Sequence, residues 1–193
     1  MLADATVLAS RLEETVRRIR AAPGAGQSTP TVTATLVDGH ARVSSGTFAW
    51  ETDLGPAIGG QDLAPTPTAY LLGSLAGCAV VFLRDTLAPL FGVTLADIAA
   101  TARCRADAAG LLGVEGATPA LEAIELSIRI ASPDPTQRIE AMLAVWRERC
   151  PIYLALANVN PPSLNVAIEA AKGADSRSVQ QKPMRTRKEV RNA

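Results

Sequence analysis

The sequence predicts an α+β domain in which one long, buried helix lies between two small antiparallel sheets. Three observations predict it: an uncharged apolar run at residues 69–83, a segment rich in β-branched and aromatic residues before it (31–51), and apolar-polar alternation after it (98–130). The helices are apolar on several sides and need more partners than such sheets provide. An intertwined homodimer would supply those partners.

The first predicted element is an amphipathic helix from Asp4 to Ala22, followed by a Pro- and Gly-rich linker that begins at Pro23. Its apolar side chains recur at helical spacing: Val7, Leu8, Leu12, Val16 and Ile19. Residues 1–30 are therefore interpreted as an N-terminal helix and linker outside the main domain, which we assign to residues 31–172.

Two antiparallel strands are predicted between Thr31 and Glu51, joined at Asp38-Gly39, a dipeptide typical of tight hairpins. A Gly- and Pro-rich loop at 55–67 then leads to the central helix.

The central helix should begin at Pro67, with Thr66 as its cap, and should reach Ala88, where Pro89 kinks or ends it. Its uncharged run of fifteen residues is shorter than the roughly 20 needed to span a bilayer. It is apolar nearly all round, so we interpret it as a core helix buried on most sides.

A second pair of strands is predicted at 98–107 and 124–130, with a glycine-containing turn between them. An amphipathic helix competes for the alanine-rich start of the first strand. Helices should follow from Ser132 and, after a break, from Pro151, and a short strand should lie near 164–168. The segment 173–193 carries six basic and two acidic residues, net +4, and we expect it to be flexible.

Charge and composition narrow the classes of partner. Nineteen basic and nineteen acidic residues balance, so no global field attracts nucleic acid or an anionic membrane, and the expected partner is a small molecule or a second copy of the chain. Three cysteines, an odd number, and the absence of an N-terminal signal pattern predict free thiols in a reducing cytoplasm.

Two of these cysteines lie in settings that suit redox chemistry. Cys78 lies inside the central helix and Cys150 directly precedes Pro151, and two thiols on different helices are what a thiol peroxidase uses to reduce a peroxide and then close a disulfide. Burial raises the pKa of a thiol, so Cys78 would need a nearby cation or donor, with His40 and Arg42 on the hairpin as candidates.

Cys150 would cap the helix that starts at Pro151 and feel its positive end, which favours the thiolate and suits a resolving thiol. The alternative for both cysteines is a plain core role, since free cysteine is often only a small buried hydrophobe. That role is the simplest interpretation of Cys104, an inward residue of a predicted strand.

The chain resembles the OsmC/Ohr family of osmotically inducible and organic-hydroperoxide-resistance proteins. The family pattern S/N-P-x-E-x-L-x-x-A-x-x-x-C corresponds to TPTAYLLGSLAGC at residues 66–78, and its downstream Cys-Pro corresponds to Cys150-Pro151. The turn at 107–113 resembles the family's D-x-R-G-x-x-G. The resemblance covers about residues 31–170.

The resemblance implies an intertwined homodimer with active sites at the subunit interface. It implies a peroxidase of the oxidative stress response that uses no metal or other cofactor, reduces organic hydroperoxides and is recycled by an external dithiol. Cys78 would be the peroxidatic thiol and Cys150 the resolving one, with Arg42 as the approximate counterpart of the family's activating arginine.

This chain departs from the family at one catalytic position. The glutamate of the first helical turn is replaced by Thr68 and Ala69, and Glu51 or Asp53 would have to substitute for it. The missing acid favours a competing hypothesis, a non-catalytic or differently active protein of this fold that binds a small apolar ligand at the dimer interface. A thiolate metal site is a weaker alternative, because one histidine and three cysteines without a C-x-x-C pair give poor ligand spacing.

Overall fold

A computed structural model describes residues 5–158 and 162–168, and all of its helices and strands precede residue 160. The helices are α1 (Ala5–Ala21), α2 (Pro67–Phe82), α3 (Ala88–Phe91), α4 (Ala108–Leu111), α5 (Thr136–Arg149) and α6 (Pro151–Ala157). The strands are β1 (Thr33–Val37), β2 (His40–Ser45), β3 (Phe48–Thr52), β4 (Asp97–Arg105) and β5 (Glu122–Ala131). The α+β prediction with two small antiparallel sheets is confirmed.

The first sheet has three strands, not the two predicted. The turn at Asp38-Gly39 is confirmed, and both residues adopt positive φ angles of 48° and 87°, as a tight hairpin requires. A second turn at Gly46, with φ 57°, divides what we predicted as one strand into β2 and β3. Only one glycine marks this turn, so its sequence signal is weaker than the Asp-Gly pair.

The central helix begins as predicted. Pro67 is its first residue, and the Thr66 hydroxyl oxygen accepts a hydrogen bond from the Ala69 N–H at 3.2 Å. Pro89 does not end it at once. The chain first makes a wide π-helical turn, Leu83–Leu87, and then continues as α3 to Phe91, because the wider turn leaves room for a proline ring that has no N–H to donate.

The prediction that this helix is buried on most sides is wrong for the single chain. Leu75 and Ala79 are the buried residues of α2, whereas Gly73, Gly77 and Val81 are exposed at intervals of four residues. From 67 to 91 the helix is long and apolar enough to cross a membrane by length and composition alone, with 28% of its most apolar stretch buried. Core helices of soluble proteins meet the same criterion, so this property does not distinguish the two.

The second sheet pairs β4 with β5, so the strand interpretation of residues 98–107 is confirmed over its helical competitor. α2 packs against this sheet, α5 packs against the π-helical turn, α3 and α6, and the core forms around the buried faces of these elements. The buried core residues are Ala79, Leu83, Leu87, Ala88, Val93, Met142, Trp146 and Cys150. Cys104 is half-buried on β4 and makes no contact in this core.

The strand predicted near residues 164–168 is wrong. Residues 162–168 have no secondary structure, and their apolar side chains are solvent-exposed, with Leu164 at 85% and Ile168 at 94% exposure. Apolar alternation predicts a strand only where a neighbouring strand pairs with it, and none does so here within the described residues. The predictions for residues 169–193 lie outside the described residues.

Candidate active site

The fold brings two of the predicted site residues, Cys78 and Cys150, into contact. The Cys150 thiol donates a hydrogen bond to the Cys78 sulfur at a sulfur-sulfur distance of 3.3 Å. A disulfide bond is about 2.05 Å long, so the two sulfurs would have to approach by only about 1.2 Å to form one. The pair is reduced in this structure.

Cys150 is positioned by the junction of two helices. Its N–H donates to the carbonyl of Trp146 at 2.8 Å and its own carbonyl accepts from Leu154 at 3.0 Å, so it ends α5 and begins α6 at once. Pro151 occupies the first position of α6, as predicted. Cys150 is fully buried, and the Trp146 and Tyr153 rings pack together beside it with centroids 5.2 Å apart.

Cys78 is less deeply buried, and its surroundings favour the neutral thiol. Burial raises the pKa of Cys78 to about 11, and the neighbouring Cys150 sulfur contributes to the rise because the pair cannot easily carry two negative charges. The backbone N–H of Ile152 acts in the opposite direction by hydrogen bonding to the Cys78 sulfur, which lowers the pKa. At neutral pH Cys78 in the isolated chain is therefore a thiol.

Ile152 is a site residue that sequence reasoning missed. It contributes a backbone group, so its side-chain type carries no signal. The signal was the proline before it. Pro151 has no N–H, which leaves the Ile152 N–H as the first free donor of α6.

The third predicted site residue, Arg42, lies elsewhere in the chain. It is exposed on β2 opposite Glu51 of β3, and with Ala49 and Trp50 these residues line a cavity of about 230 Å³. Within the described residues Arg42 makes no hydrogen bond or ion pair with either thiol.

His40, the other candidate cation, lies next to Glu51. Its Nε2 is 3.5 Å from the Glu51 carboxylate, its side chain is 11% exposed, and within the described residues neither ring nitrogen has a hydrogen-bond partner. This position favours an interaction with Glu51 and not with Cys78.

Asp53 does not substitute for the missing glutamate. Its buried carboxylate accepts hydrogen bonds from the N–H groups of Leu54 (2.7 Å), Gln61 (3.0 Å) and Leu63 (3.1 Å). These bonds, led by that of Leu63, lower the pKa of Asp53. The side chain fixes the loop before α2, which is a structural role that the sequence did not indicate.

The described residues contain no group of three or more side chains placed to hold a metal ion. The groups that the described residues bring together at the site are the two thiols and the Ile152 backbone donor.

The family model for OsmC-like protein matches residues 59–165, a span that contains both thiols. No functionally curated protein matches the chain.

Several solved structures are similar. An OsmC-like protein from Mycoplasma pneumoniae is 22% identical, with a TM-score of 0.58 over 69% of this chain and 90% of that one. A Psychrobacter arcticus 273-4 protein, named for osmotic stress induction and a detoxification response, is 16% identical, with a TM-score of 0.53 over 70% of this chain and 91% of that one. At these identities the similarity shows the fold alone.

Proposed function

Because the chain belongs to the OsmC-like protein family, we propose that it is a thiol-dependent peroxidase that reduces organic hydroperoxides through Cys78 and Cys150. The observation that carries the proposal is the 3.3 Å distance between the Cys78 and Cys150 sulfurs. These two residues are 72 positions apart in the sequence. Two core cysteines need not touch, whereas a peroxidatic and a resolving thiol must.

The reaction has three steps. The Cys78 thiolate attacks a peroxide oxygen, the O–O bond breaks, and the alcohol leaves after taking a proton, so that Cys78 becomes a sulfenic acid. The Cys150 sulfur displaces the sulfenic hydroxyl as water and forms the Cys78–Cys150 disulfide. An external dithiol, expected in a reducing cytoplasm, then exchanges with the disulfide and is itself oxidised.

The roles of the two thiols follow from their exposure. Cys150 is fully buried, so a peroxide cannot reach it without displacing the core, whereas Cys78 is only partly buried. Cys78 therefore reacts with the peroxide, and Cys150, which lies in contact with it, reacts with the resulting sulfenic acid.

Activation of Cys78 needs a cation, and none of the described residues acts on the thiol as one. A homodimer is the proposed source. The exposed face of α2 at Gly73, Gly77 and Val81 is suited to close packing against a second copy. The first sheet also exposes Leu36 (81%) and Phe48 (75%). A second copy covering these surfaces would bring its Arg42 towards Cys78, where a guanidinium lowers the pKa of the thiol.

The Arg42→Ala variant tests that activation through the pH dependence of Cys78 alkylation. In the variant, burial and the Cys150 sulfur still raise the pKa of the Cys78 thiol and the Ile152 donor still lowers it. The rate with iodoacetamide should therefore rise about tenfold per pH unit from pH 7 to about pH 10, following a pKa of about 11. The wild-type rate should level off at a lower pH because the guanidinium favours the thiolate.

A Cys104→Ser background confines alkylation to the site thiols, and Arg11→Ala, which removes an exposed arginine of α1, is the matched control. Coincident profiles for wild type and Arg42→Ala would exclude Arg42 as the activating residue.

The proposed activity is tested by steady-state reduction of cumene hydroperoxide with dithiothreitol or dihydrolipoamide as the dithiol. We expect catalytic consumption with one alcohol formed per dithiol oxidised. Consumption no faster than that of dithiol alone would contradict the proposal.

A second candidate function is binding of a small apolar ligand without peroxide chemistry. It is favoured by the raised pKa of Cys78 and by Thr68 and Ala69 in place of an acid. It predicts a protein whose Cys78 survives excess peroxide unchanged, which is the opposite of the result expected for the peroxidase.

A further inference from the structure

A cavity of about 320 Å³ lies between α1 and α3, and neither thiol lines it. One wall is formed by four residues of α1 and the other by one residue of α3: Glu13, Val16, Arg17, Arg20 and Leu90. The four α1 residues are spaced as i, i+3, i+4 and i+7, so they share one face of the helix. α1 lies outside residues 59–165, which match the family model, so this wall is not part of the matched domain.

The apolar part of the cavity is a gap in the packing of α1. Leu8, Leu12 and Ile19 on the apolar side of this helix are half-buried. Val16 continues the same helical stripe but is 41% exposed, and Leu90 on the opposite wall is 42% exposed. Both side chains therefore keep a large part of their apolar surface in water, and a ligand that covers this surface gains hydrophobic stabilisation.

The charged part of the cavity has one excess positive charge. Arg17 and Arg20 are cationic and Glu13 is anionic, so the lining carries a net charge of +1. Within the described residues neither arginine forms an ion pair. A guanidinium donates two parallel hydrogen bonds to a carboxylate, which makes that group its best-matched partner of single charge. A carboxylate balances the lining, whereas a doubly charged phosphate would exceed it.

The volume of the cavity limits the size of the ligand. It is at the lower end of the range of about 300–1,000 Å³ that is typical of small-molecule sites. An engineered cavity of about 150 Å³ holds benzene, so this one has room for on the order of ten non-hydrogen atoms. Octanoate has that size, whereas palmitate is too long.

We propose that the cavity between α1 and α3 is a binding site for a medium-chain carboxylate, with Arg17 and Arg20 holding the carboxylate and Val16 and Leu90 covering the alkyl chain. The site is separate from the two thiols, and the inference does not depend on the proposed peroxidase activity.

The charged half of the site is tested by NMR titration of the full-length protein with octanoate. We expect saturable binding, at least tenfold tighter than that of octan-1-ol, which lacks the charge, or of acetate, which lacks the chain. Arg17→Gln and Arg20→Gln should each weaken binding about fivefold. Arg18→Gln is the matched control and should leave it unchanged, because Arg18 is an exposed arginine of the same helix that does not line the cavity. Glutamine is a good helix former, so α1 is retained in all three variants.

The apolar half is tested by Val16→Thr, which keeps the shape of the side chain and replaces a methyl group with a hydroxyl. We expect it to weaken octanoate binding about threefold. Val7→Thr is its control, since Val7 is a similarly exposed valine of α1 (46%) that does not line the cavity.

Hydrogen exchange gives a second measurement of the same site. Because the ligand would contact both α1 and α3, it should stabilise the packing of α1, and the amides of residues 5–21 should exchange more slowly when octanoate is present. The Arg17→Gln/Arg20→Gln double variant should show no such protection.

The contrary outcomes are distinct. Absence of octanoate binding would overturn the site whether or not the protein reduces peroxides. Equal weakening by Arg17→Gln, Arg20→Gln and Arg18→Gln would also overturn it, because the attraction would then come from the general charge of α1. Binding of the protein to phosphatidylglycerol vesicles without binding of free octanoate would identify α1 as a membrane-surface helix instead.

Discussion

Serine in place of Cys78 is expected to reduce the turnover of cumene hydroperoxide by on the order of a thousandfold or more, to the rate of the dithiol alone. A serine hydroxyl does not ionise near neutral pH and its oxygen is a poor nucleophile towards a peroxide, so the first bond cannot form. No other thiol can replace Cys78, because Cys150 is fully buried and Cys104 lies outside the thiol contact.

Cys150→Ser should behave differently from Cys78→Ser. Its first reaction with peroxide is expected to proceed, leaving a sulfenic acid on Cys78 that dimedone traps and mass spectrometry locates. Cys104→Ser is the matched control and should retain wild-type turnover. Equal loss of activity in the Cys78 and Cys104 variants, or dimedone labelling that does not require Cys78, would contradict the assignment.

Leucine in place of Gly77 is expected to convert the proposed homodimer to monomer. Gly77 lies on the exposed face of α2, and a Cβ built there meets no atom within 4 Å, so the single chain accommodates a larger side chain. Leucine is also about 0.8 kcal/mol more favourable than glycine inside a helix. Any loss of association would therefore come from a partner that packs closely against this face.

The measurement is light scattering coupled to size-exclusion chromatography, with circular dichroism to confirm the fold. Gly24→Leu is the control, since Gly24 is also an open, exposed glycine but lies far along the chain from α2. If Gly77→Leu remains a dimer, the face of α2 is not the interface. If wild type is already a monomer, Arg42 of a second copy cannot activate Cys78.

The features that the sequence predicted well are those fixed by neighbouring residues. The start of α2 depends on a cap and a proline that are adjacent in sequence, and the hairpin at Asp38-Gly39 depends on two residues that tolerate positive φ. The helix restart after Cys150 likewise depends on the proline that follows it. Such local signals need no knowledge of the rest of the fold.

The features that the sequence predicted poorly depend on distant partners. Apolar composition indicated that α2 needs packing partners on several faces, but it could not show that the single chain buries only one face of this helix. An alternating apolar pattern near 164–168 lacked a neighbouring strand, and Asp53 gained its role from N–H groups up to ten residues away.

The candidate site contains features of both kinds, those set by neighbouring residues and those set by distant partners. Cys78 and Cys150 were identified from local patterns and family resemblance, but their 3.3 Å contact depends on how α2 packs against the junction of α5 and α6. The Ile152 donor is a backbone group, and an approach of Arg42 to Cys78 would require the proposed homodimer. Neither could be located from residue types alone.

The most direct test of the account is to count thiols and measure the intact mass of reduced protein after one equivalent of cumene hydroperoxide. The account predicts rapid loss of two of the three thiols, a mass decrease of about 2 Da as two thiol hydrogens are lost, and a disulfide-linked peptide pair containing Cys78 and Cys150. Three free thiols at an unchanged mass, after excess peroxide, would contradict it.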